Sequence, residues 1–218
     1  MSERSSVQNP MLKYSQEIGW QYVSPSEAMK LRGGDTGMYF SDVLKSQIQR
    51  LNPHVVDADR ASEILRKLNL LHANIEGNKD ALSWLRGEQS IFVPEENREL
   101  NVRLIDFDNP ENNIFQVTDE WKHRGIASSN RADVIFLING FPIALAETKA
   151  AEKRDGLAEG MTQIRRYHQE TPEMLIAPQV FEVTEMVLHG PPPERMYSTG
   201  KKSSRVIMRI PSRPFSIG

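Results

Sequence analysis

The feature that most constrains the fold of this 218-residue chain is a pair of short apolar runs joined by Asn139-Gly140. The runs cover residues 134–138 and 143–146. An Asn-Gly pair between two such runs is the strongest short-range signal for a tight β-hairpin, because both residues tolerate the positive φ of a type I′ turn. We therefore predict two antiparallel strands at this point.

Ionisable side chains flank the predicted hairpin. Asp133 precedes the first run, and Glu147 and Lys149 follow the second. Side chains alternate between the faces of a strand, so Glu147 and Lys149 project to one side and Thr148 to the other. Two carboxylates and an ammonium on buried strands cost free energy unless they are paired or bind a cation, and a hard, oxygen-ligated ion such as Mg²⁺ fits that need. The spacing is the outline of a metal-dependent nuclease site, and the alternative is a solvated strand edge.

Three segments agree in order and spacing with a known family. They are NVRLIDFDNPENNIF at residues 101–115, RADVIFLINGFPIALAETKA at 131–150 and QIRRY at 163–167. From about residue 12 to 188, the chain resembles the amino-terminal nuclease domain of the restriction (R) subunit of type I restriction-modification enzymes, of the PD-(D/E)xK superfamily. The resemblance implies an α/β, restriction-endonuclease-like fold with a mixed central sheet flanked by helices. Ala132 stands where relatives usually carry proline, a residue that shapes the backbone and does no chemistry.

The resemblance also implies roles for the hairpin residues. Asp133 and Glu147 would hold Mg²⁺, with the backbone carbonyl of Thr148 as a further ligand. Lys149 would orient the attacking water or offset the negative charge that develops in the transition state, and both roles stay open.

A helix predicted over residues 155–170 contributes two supporting side chains. Gln163 and Tyr167 stand four residues apart and share one helix face, as do Gly156 and Gly160. We predict that this face approaches the sheet or a DNA backbone closely. By resemblance, Gln163 and Tyr167 position the DNA strand or the catalytic groups without binding the metal.

We predict one endonuclease domain over residues 1–190, with a helical part at 1–87 and the site-bearing sheet and helix at 88–190. Besides the helix at 155–170, helices are expected at residues 11–20, 43–51, about 59–71 with Asp59 or Ser62 as cap, and 80–86. Besides the hairpin, strands are expected at residues 91–93, 102–107, 114–117, 174–177 and 180–188.

Charge divides the chain unevenly. The formal net charge is -2, but residues 191–218 carry +5, so residues 1–190 carry -7. An acidic body argues against tight independent binding of duplex DNA, which depends on phosphate neutralisation. Family members tend to have a Phe-Asn-Trp-Lys segment at this position, and the basic tail of this chain lacks it. Codons for residues 196–202, read out of frame, can encode that segment. We interpret the tail as disordered, frameshifted or artificial, with a genuine basic tail as the alternative.

Composition excludes several classes of protein. The chain has no cysteine, so a disulfide framework and a thiolate metal site are ruled out. No apolar run approaches the ~20 residues of a membrane span, and the first residues lack the apolar segment of a signal peptide. We expect a cytoplasmic protein without a membrane partner.

Other polar residues are weaker candidates. We interpret His123 as part of a solvated basic patch, and Asp106, Asp108 and Glu111 as turn-stabilising. Glu17 is a conceivable outer metal ligand.

We predict a Mg²⁺-dependent endonuclease domain that cleaves double-stranded DNA when joined to an ATP-dependent translocase motor and to methyltransferase and specificity subunits. The full-length subunit would need ATP, but residues 200–202 lack the spacing of a Walker A loop, so no ATP site is expected here. One alternative is a non-catalytic docking module of nuclease fold. Another is a RecB-like repair nuclease domain. Residues 101–113 are the segment that distinguishes the type I restriction family from that class.

Overall fold

The predicted hairpin lies at the centre of the main sheet, and Asn139 and Gly140 have φ of 55° and 78° at its turn. The structure is a computed structural model that describes residues 3–150, 153–175, 177–184 and 207–209. Its strands are β1 Gln21–Tyr22, β2 Ser90–Val93, β3 Arg98–Asn101, β4 Phe115–Arg124, β5 Ser129–Ile138, β6 Phe141–Thr148, β7 Val180–Thr184 and β8 Ile207–Arg209. Its α-helices are α1 Asn9–Glu17, α2 Pro25–Leu31, α3 Ser41–Leu51, α4 Ala58–Asn69, α5 Ile75–Leu85 and α6 Gly156–Glu170.

Six of these strands form one mixed sheet in the order β1-β4-β5-β6-β7-β8, and β2 and β3 form a separate antiparallel pair. The pairs β1/β4 and β6/β7 are parallel, and the pairs β4/β5, β5/β6 and β7/β8 are antiparallel. The predicted α/β architecture with a mixed sheet and flanking helices is confirmed. Membership of the PD-(D/E)xK superfamily stays a prediction.

Helices cover both faces of the sheet. The face toward α2 and α6 buries large side chains, namely Trp121, Ile135, Leu137, Leu145 and Tyr167. The face toward α1 buries a smaller set, namely Leu12, Val117, Val134 and Ala146. A third cluster joins α3, α4, α5 and β2 through Leu44, Ile48, Ile64, Leu68, Ala81, Trp84, Ile91 and Val93. The hairpin strands are therefore buried from both sides.

The starts of three helices differ from the predictions. Asp57, in extended backbone, caps α4 by accepting a hydrogen bond from the Arg60 amide at 2.8 Å, so Asp59 and Ser62 are not its caps. Asn74 caps α5 by accepting from the Gly77 amide at 2.9 Å, and this helix begins five residues before its predicted start. The first helix, α1, begins at Asn9, two residues before its predicted start. A π-helical turn, Arg4–Gln8, comes directly before it.

Two predicted strands are wrong. Residues 102–107 form no ladder, because the amides of Val102 and Arg103 bond instead to Gln89 O and Asn52 Oδ1. Residues 172–175 form a 3₁₀ helix, Pro172–Leu175, where a strand over 174–177 was predicted. The predicted strand at 180–188 is present as β7, and residues 185–188 lie outside the described part of the chain.

Part of the tail is ordered at one place. Ile207–Arg209 forms β8, in which Arg209 is paired with Phe181. A free strand edge such as that of β7 offers unpaired backbone groups to a neighbouring segment. The interpretation of the tail as a whole stays a prediction. The rest of residues 191–218 lies outside the described part.

No helix within the described residues has the length and apolar character needed to cross a bilayer.

Candidate active site

The hairpin register brings the two predicted carboxylates together. Val134 of β5 pairs with Ala146 of β6, so Asp133 and Glu147 are the next residues along the two strands. Lys149 follows directly after the end of β6. All three are buried, with exposed fractions of 9 % for Asp133, 0 % for Glu147 and 6 % for Lys149.

Asp133 is fixed in place by Thr148. Its Oδ2 accepts hydrogen bonds from the Thr148 amide at 2.8 Å and from the Thr148 hydroxyl at 3.0 Å. The sequence predicted a backbone role for Thr148 but missed this side-chain contact. The carboxylate orientation is therefore set by β6 through two bonds.

Glu147 has one satisfied oxygen and one unsatisfied oxygen. Oε1 accepts a hydrogen bond from the Tyr167 hydroxyl at 2.7 Å. Oε2 is buried and has no hydrogen-bond partner among the described residues, although Lys149 Nζ lies 3.5 Å away. The ion pair with Lys149 offsets part of the cost of burying this oxygen, and the oxygen can still accept a hydrogen bond or bind a metal ion.

The Lys149 ammonium lies close to oxygens of Glu147, Thr148 and Glu3. It donates a hydrogen bond to the Thr148 carbonyl oxygen at 2.8 Å and lies 3.9 Å from Glu3 Oε1. Lys149 thus offsets charge at two of the oxygens expected to bind a metal, Glu147 Oε2 and Thr148 O.

Burial and the neighbouring Asp133 carboxylate together raise the pKa of Glu147 to about 8, burial being the larger cause. The hydrogen bond from Tyr167 and the charge of Lys149 act in the opposite direction. In this state, a substantial fraction of Glu147 carries a proton at neutral pH.

The helix α6 supplies the predicted supporting pair. Gln163 Nε2 donates to the Tyr167 hydroxyl oxygen at 2.7 Å, and that hydroxyl lies 2.7 Å from both Glu147 Oε1 and Arg131 O. A hydroxyl has one proton, so Tyr167 donates to only one of these oxygens at a time. Burial, followed by the charge of Glu147, raises the pKa of Tyr167 above its ordinary value, so the phenol stays protonated.

Gly160 allows α6 to approach the sheet. A β-carbon at this position would overlap Cγ1 of Val183 on β7. Gly156 and Gly160 are both buried, as the predicted close approach requires.

A second polar network beside the site was not anticipated. Asp119, whose side chain is fully buried, accepts hydrogen bonds from Arg4 at 3.1 Å, Gln8 at 3.2 Å and Tyr22 at 2.8 Å. Burial and Asp119 raise the pKa of Tyr22 to about 12. Gln8 also donates to Asp133 O at 3.3 Å, so the π-helical turn touches the backbone of a predicted metal ligand.

This network exists because the side-chain alternation of β4 breaks at Glu120, which has φ of 51°. Asp119 and Glu120 both contact Gln8, at 3.2 and 3.3 Å, and therefore face the same side of the sheet. Trp121 then packs on the opposite face. Two adjacent acids in a β-rich segment are the sequence signal that marks this position.

His123 follows the same break, and its interpretation as a solvated residue is wrong. It is 1 % exposed, and neither ring nitrogen has a hydrogen-bond partner in the described part of the chain. Burial and the Arg32 charge lower the pKa of His123 to about 4, burial being the larger cause. His123 is therefore a neutral core residue.

The turn-stabilising interpretation of Asp106 is confirmed. Its carboxylate accepts from the amides of Asp108 and Asn109 at 3.2 Å and from Asn112 at 2.9 Å. Glu17 forms an ion pair with Lys13 at 3.8 Å.

The donor set determines what the site can bind. Within the described ranges, no group of three or more His, Asp or Glu side chains is placed to hold a metal ion. The available oxygens are the carboxylates of Asp133 and Glu147 and the carbonyl of Thr148. This set fits Mg²⁺, which prefers oxygen ligands and usually keeps several waters. Among the described residues, no donor makes a hydrogen bond to the buried Glu147 Oε2.

The chain belongs to the family described as "Type I restriction enzyme R protein N terminus", whose family model matches residues 1–190. Two relatives from Methanocaldococcus jannaschii are named as endonuclease subunits of type I restriction enzymes. The MjaVIIP subunit is 38 % identical over 72 residues, which is 33 % of this chain. The MjaVIIIP subunit is 24 % identical over 172 residues, which is 77 % of this chain.

The matches cover only 7 % and 16 % of the lengths of these two relatives. The chain therefore corresponds to a small part of each. The family match and the names of the relatives support the general assignment of this chain to a restriction endonuclease subunit.

Proposed function

We propose that this chain is the Mg²⁺-dependent endonuclease domain of a type I restriction enzyme R subunit and that it hydrolyses phosphodiester bonds of double-stranded DNA. The observation that carries the proposal is the convergence of Asp133, Glu147 and Lys149, with a buried Glu147 oxygen that lacks a hydrogen-bond donor. The family match favours this assignment over a RecB-like repair nuclease.

Asp133, Glu147 and the Thr148 carbonyl would hold the ion. When bound, Mg²⁺ would supply Lewis-acid polarisation of the scissile phosphate. Lys149 now donates to Thr148 O and lies near Glu147 Oε2, and each of these oxygens has a second lone pair that could bind the ion. The Lys149 ammonium would lie beside the ion, where it can orient water or offset the charge of the transition state.

Tyr167 and Gln163 have a positioning role in this proposal. Tyr167 fixes Glu147 Oε1 through its hydroxyl, and Gln163 fixes that hydroxyl. The same hydroxyl lies 2.7 Å from Arg131 O, so α6 is within hydrogen-bond distance of both site-bearing strands. Neither residue needs to bind the metal for its loss to disturb the ligand geometry.

The proposal includes the assembly around this domain. DNA would be delivered by an ATP-dependent motor in the rest of the R subunit, and sequence recognition would reside with methyltransferase and specificity subunits. The family and the endonuclease-subunit names of the relatives support this context. The acidic balance of residues 1–190 is consistent with a domain that does not capture DNA alone.

A titration of the chain with Mn²⁺, followed by calorimetry, tests the metal site. We expect binding by the wild type and its loss in Asp133→Asn and Glu147→Gln. The exposed carboxylates Asp42 and Glu63 provide matched controls, because Asp42→Asn and Glu63→Gln make the same chemical changes on α3 and α4. Unchanged binding in both site variants would refute the proposed ligands.

A further inference from the structure

β4 and β5 extend beyond the last pair that β5 forms with β6. That last pair is Val134 with Ala146, whereas β4 and β5 continue through four more pairs to Arg124 with Ser129. We call residues 121–132 the arm. It begins beside Asp133 and projects past the end of β6.

The arm is held firmly on one side. Asn130 Nδ2 donates to Thr171 Oγ1 at 3.0 Å, and Ser128 Oγ donates to Glu170 O at 3.0 Å. The turn is closed by a bond from the Gly125 amide to Ser128 O at 2.9 Å. Trp121 and Ala132 are buried on this side. The other side of the arm is therefore presented in a fixed geometry.

The presented side is basic. Lys122 stands directly opposite Arg131, and Arg124 follows two residues further along β4. All three are exposed. Like charges directly opposite each other on neighbouring strands reduce stability, so the pairing of Lys122 with Arg131 does not itself stabilise the arm.

The carboxylates near these cations do not neutralise all of them. Arg131 pairs with Glu120 at 2.6 Å and Arg124 pairs with Asp35 at 3.0 Å. Lys122 has no carboxylate within ion-pair distance in the described part of the chain, although its charge contributes to lowering the pKa of Asp35.

We propose that Lys122 and Arg131 bind the phosphate backbone of duplex DNA and guide it to the site at Asp133. The proposal rests on the proposed nuclease function and adds the surface that contacts the substrate. Arg131 is two residues from Asp133, roughly 6.6 Å along an extended strand. Two exposed cations side by side on the arm are complementary to a polyanion, although the chain as a whole has a formal net charge of -2.

Glu120 competes with the phosphate in this arrangement. It holds the Arg131 guanidinium in the free protein, and it is itself kept in place by Gln8 at 3.3 Å. A DNA phosphate that binds Arg131 displaces this carboxylate. Glu120→Gln should therefore strengthen DNA binding.

The test is the salt dependence of duplex binding by the 218-residue chain, measured by fluorescence anisotropy in EDTA. Each lost phosphate contact lowers the slope of log affinity against log salt by about 0.9. The double variant Lys122→Gln/Arg131→Gln should therefore lower the slope by about 1.8. The ratio of wild-type to variant affinity should accordingly be about twelvefold smaller at roughly 200 mM salt than at roughly 50 mM salt. The matched control is Lys67→Gln/Arg98→Gln, which removes two charges from α4 and β3 and should leave the slope near that of the wild type.

Lys122→Arg/Arg131→Lys keeps the charges and should keep the wild-type slope. An arm variant whose slope equals that of the control, or a wild type that does not bind the duplex at low salt, would overturn the proposal. Because EDTA removes divalent ions, these outcomes are independent of the metal site. Failure of the Mn²⁺ titration would refute the nuclease proposal alone.

Discussion

Replacing Glu147 by Gln should make the metal-free protein more stable at alkaline pH. Glu147 is fully buried, and burial with the Asp133 charge raises its pKa from 4.5 to about 8. The neutral amide of Gln has a similar shape and needs no ionisation. The substitution therefore removes the cost of placing a carboxylate here.

The magnitude follows from proton linkage. Between pH 4.5 and about 8, the folded protein keeps a proton on Glu147 that the unfolded chain has released. The stability contributed by that proton is complete below pH 4.5 and is lost as the pH rises through about 8. A difference between 4.5 and about 8 corresponds to an upper limit of about 5 kcal/mol in the free energy of unfolding.

Urea denaturation in EDTA at several pH values between 4.5 and 9 measures this effect. The free energy of unfolding of the wild type should fall with pH relative to Glu147→Gln, by up to about 5 kcal/mol. The exposed-site control Glu63→Gln should run parallel to the wild type. A wild type and Glu147→Gln that remain parallel across the range would refute the reasoning. When EDTA is replaced by Mg²⁺, part of the lost stability should return in the wild type only, because the ion binds the ionised carboxylate.

Three further outcomes are expected. Gly160→Ala should destabilise the chain by about 1–3 kcal/mol in thermal or urea unfolding, because the new methyl group overlaps Val183. Val183→Ala should relieve part of that loss. An unchanged stability of Gly160→Ala would contradict the close approach of α6. Tyr167→Phe should lower cleavage by the full-length R subunit and cost about 1–3 kcal/mol of stability, because Glu147 Oε1 loses its donor; full cleavage would argue against a positioning role. The isolated chain should bind duplex DNA no more tightly than ~10⁻⁶ M at physiological salt in a gel-shift titration. Nanomolar binding would contradict the inference that the negative charge of residues 1–190 weakens DNA binding.

Local sequence signals predicted the centre of the site well. Asn139-Gly140 determined the hairpin, and the hairpin placed Asp133 beside Glu147. The spacing of Gln163 and Tyr167 placed both on one face of α6, where they are hydrogen-bonded to each other. These features depend on residues that are near in sequence or joined by a tight turn.

The outer parts of the site depend on contacts that span the chain. Arg4 and Gln8 reach Asp119 across more than a hundred residues, and no pattern within either segment reveals the partner. His123 lies in β4 three residues after the break at Glu120 and is buried, although the neighbouring Lys122 and Arg124 suggested a solvated basic patch. Residues 102–107 are rich in β-forming side chains, but the amides of Val102 and Arg103 bond outside any ladder, so local composition was misleading there.

The central claim is that Asp133, Glu147 and Lys149 perform DNA cleavage within a type I restriction enzyme. The most direct measurement compares cleavage and ATP hydrolysis in the full-length R subunit, assembled with its partner subunits, for Asp133→Ala, Glu147→Ala and Lys149→Ala. The account predicts that cleavage is abolished in each variant while ATP hydrolysis and translocation continue, because the site lies outside the motor. Cleavage retained in all three variants would contradict it.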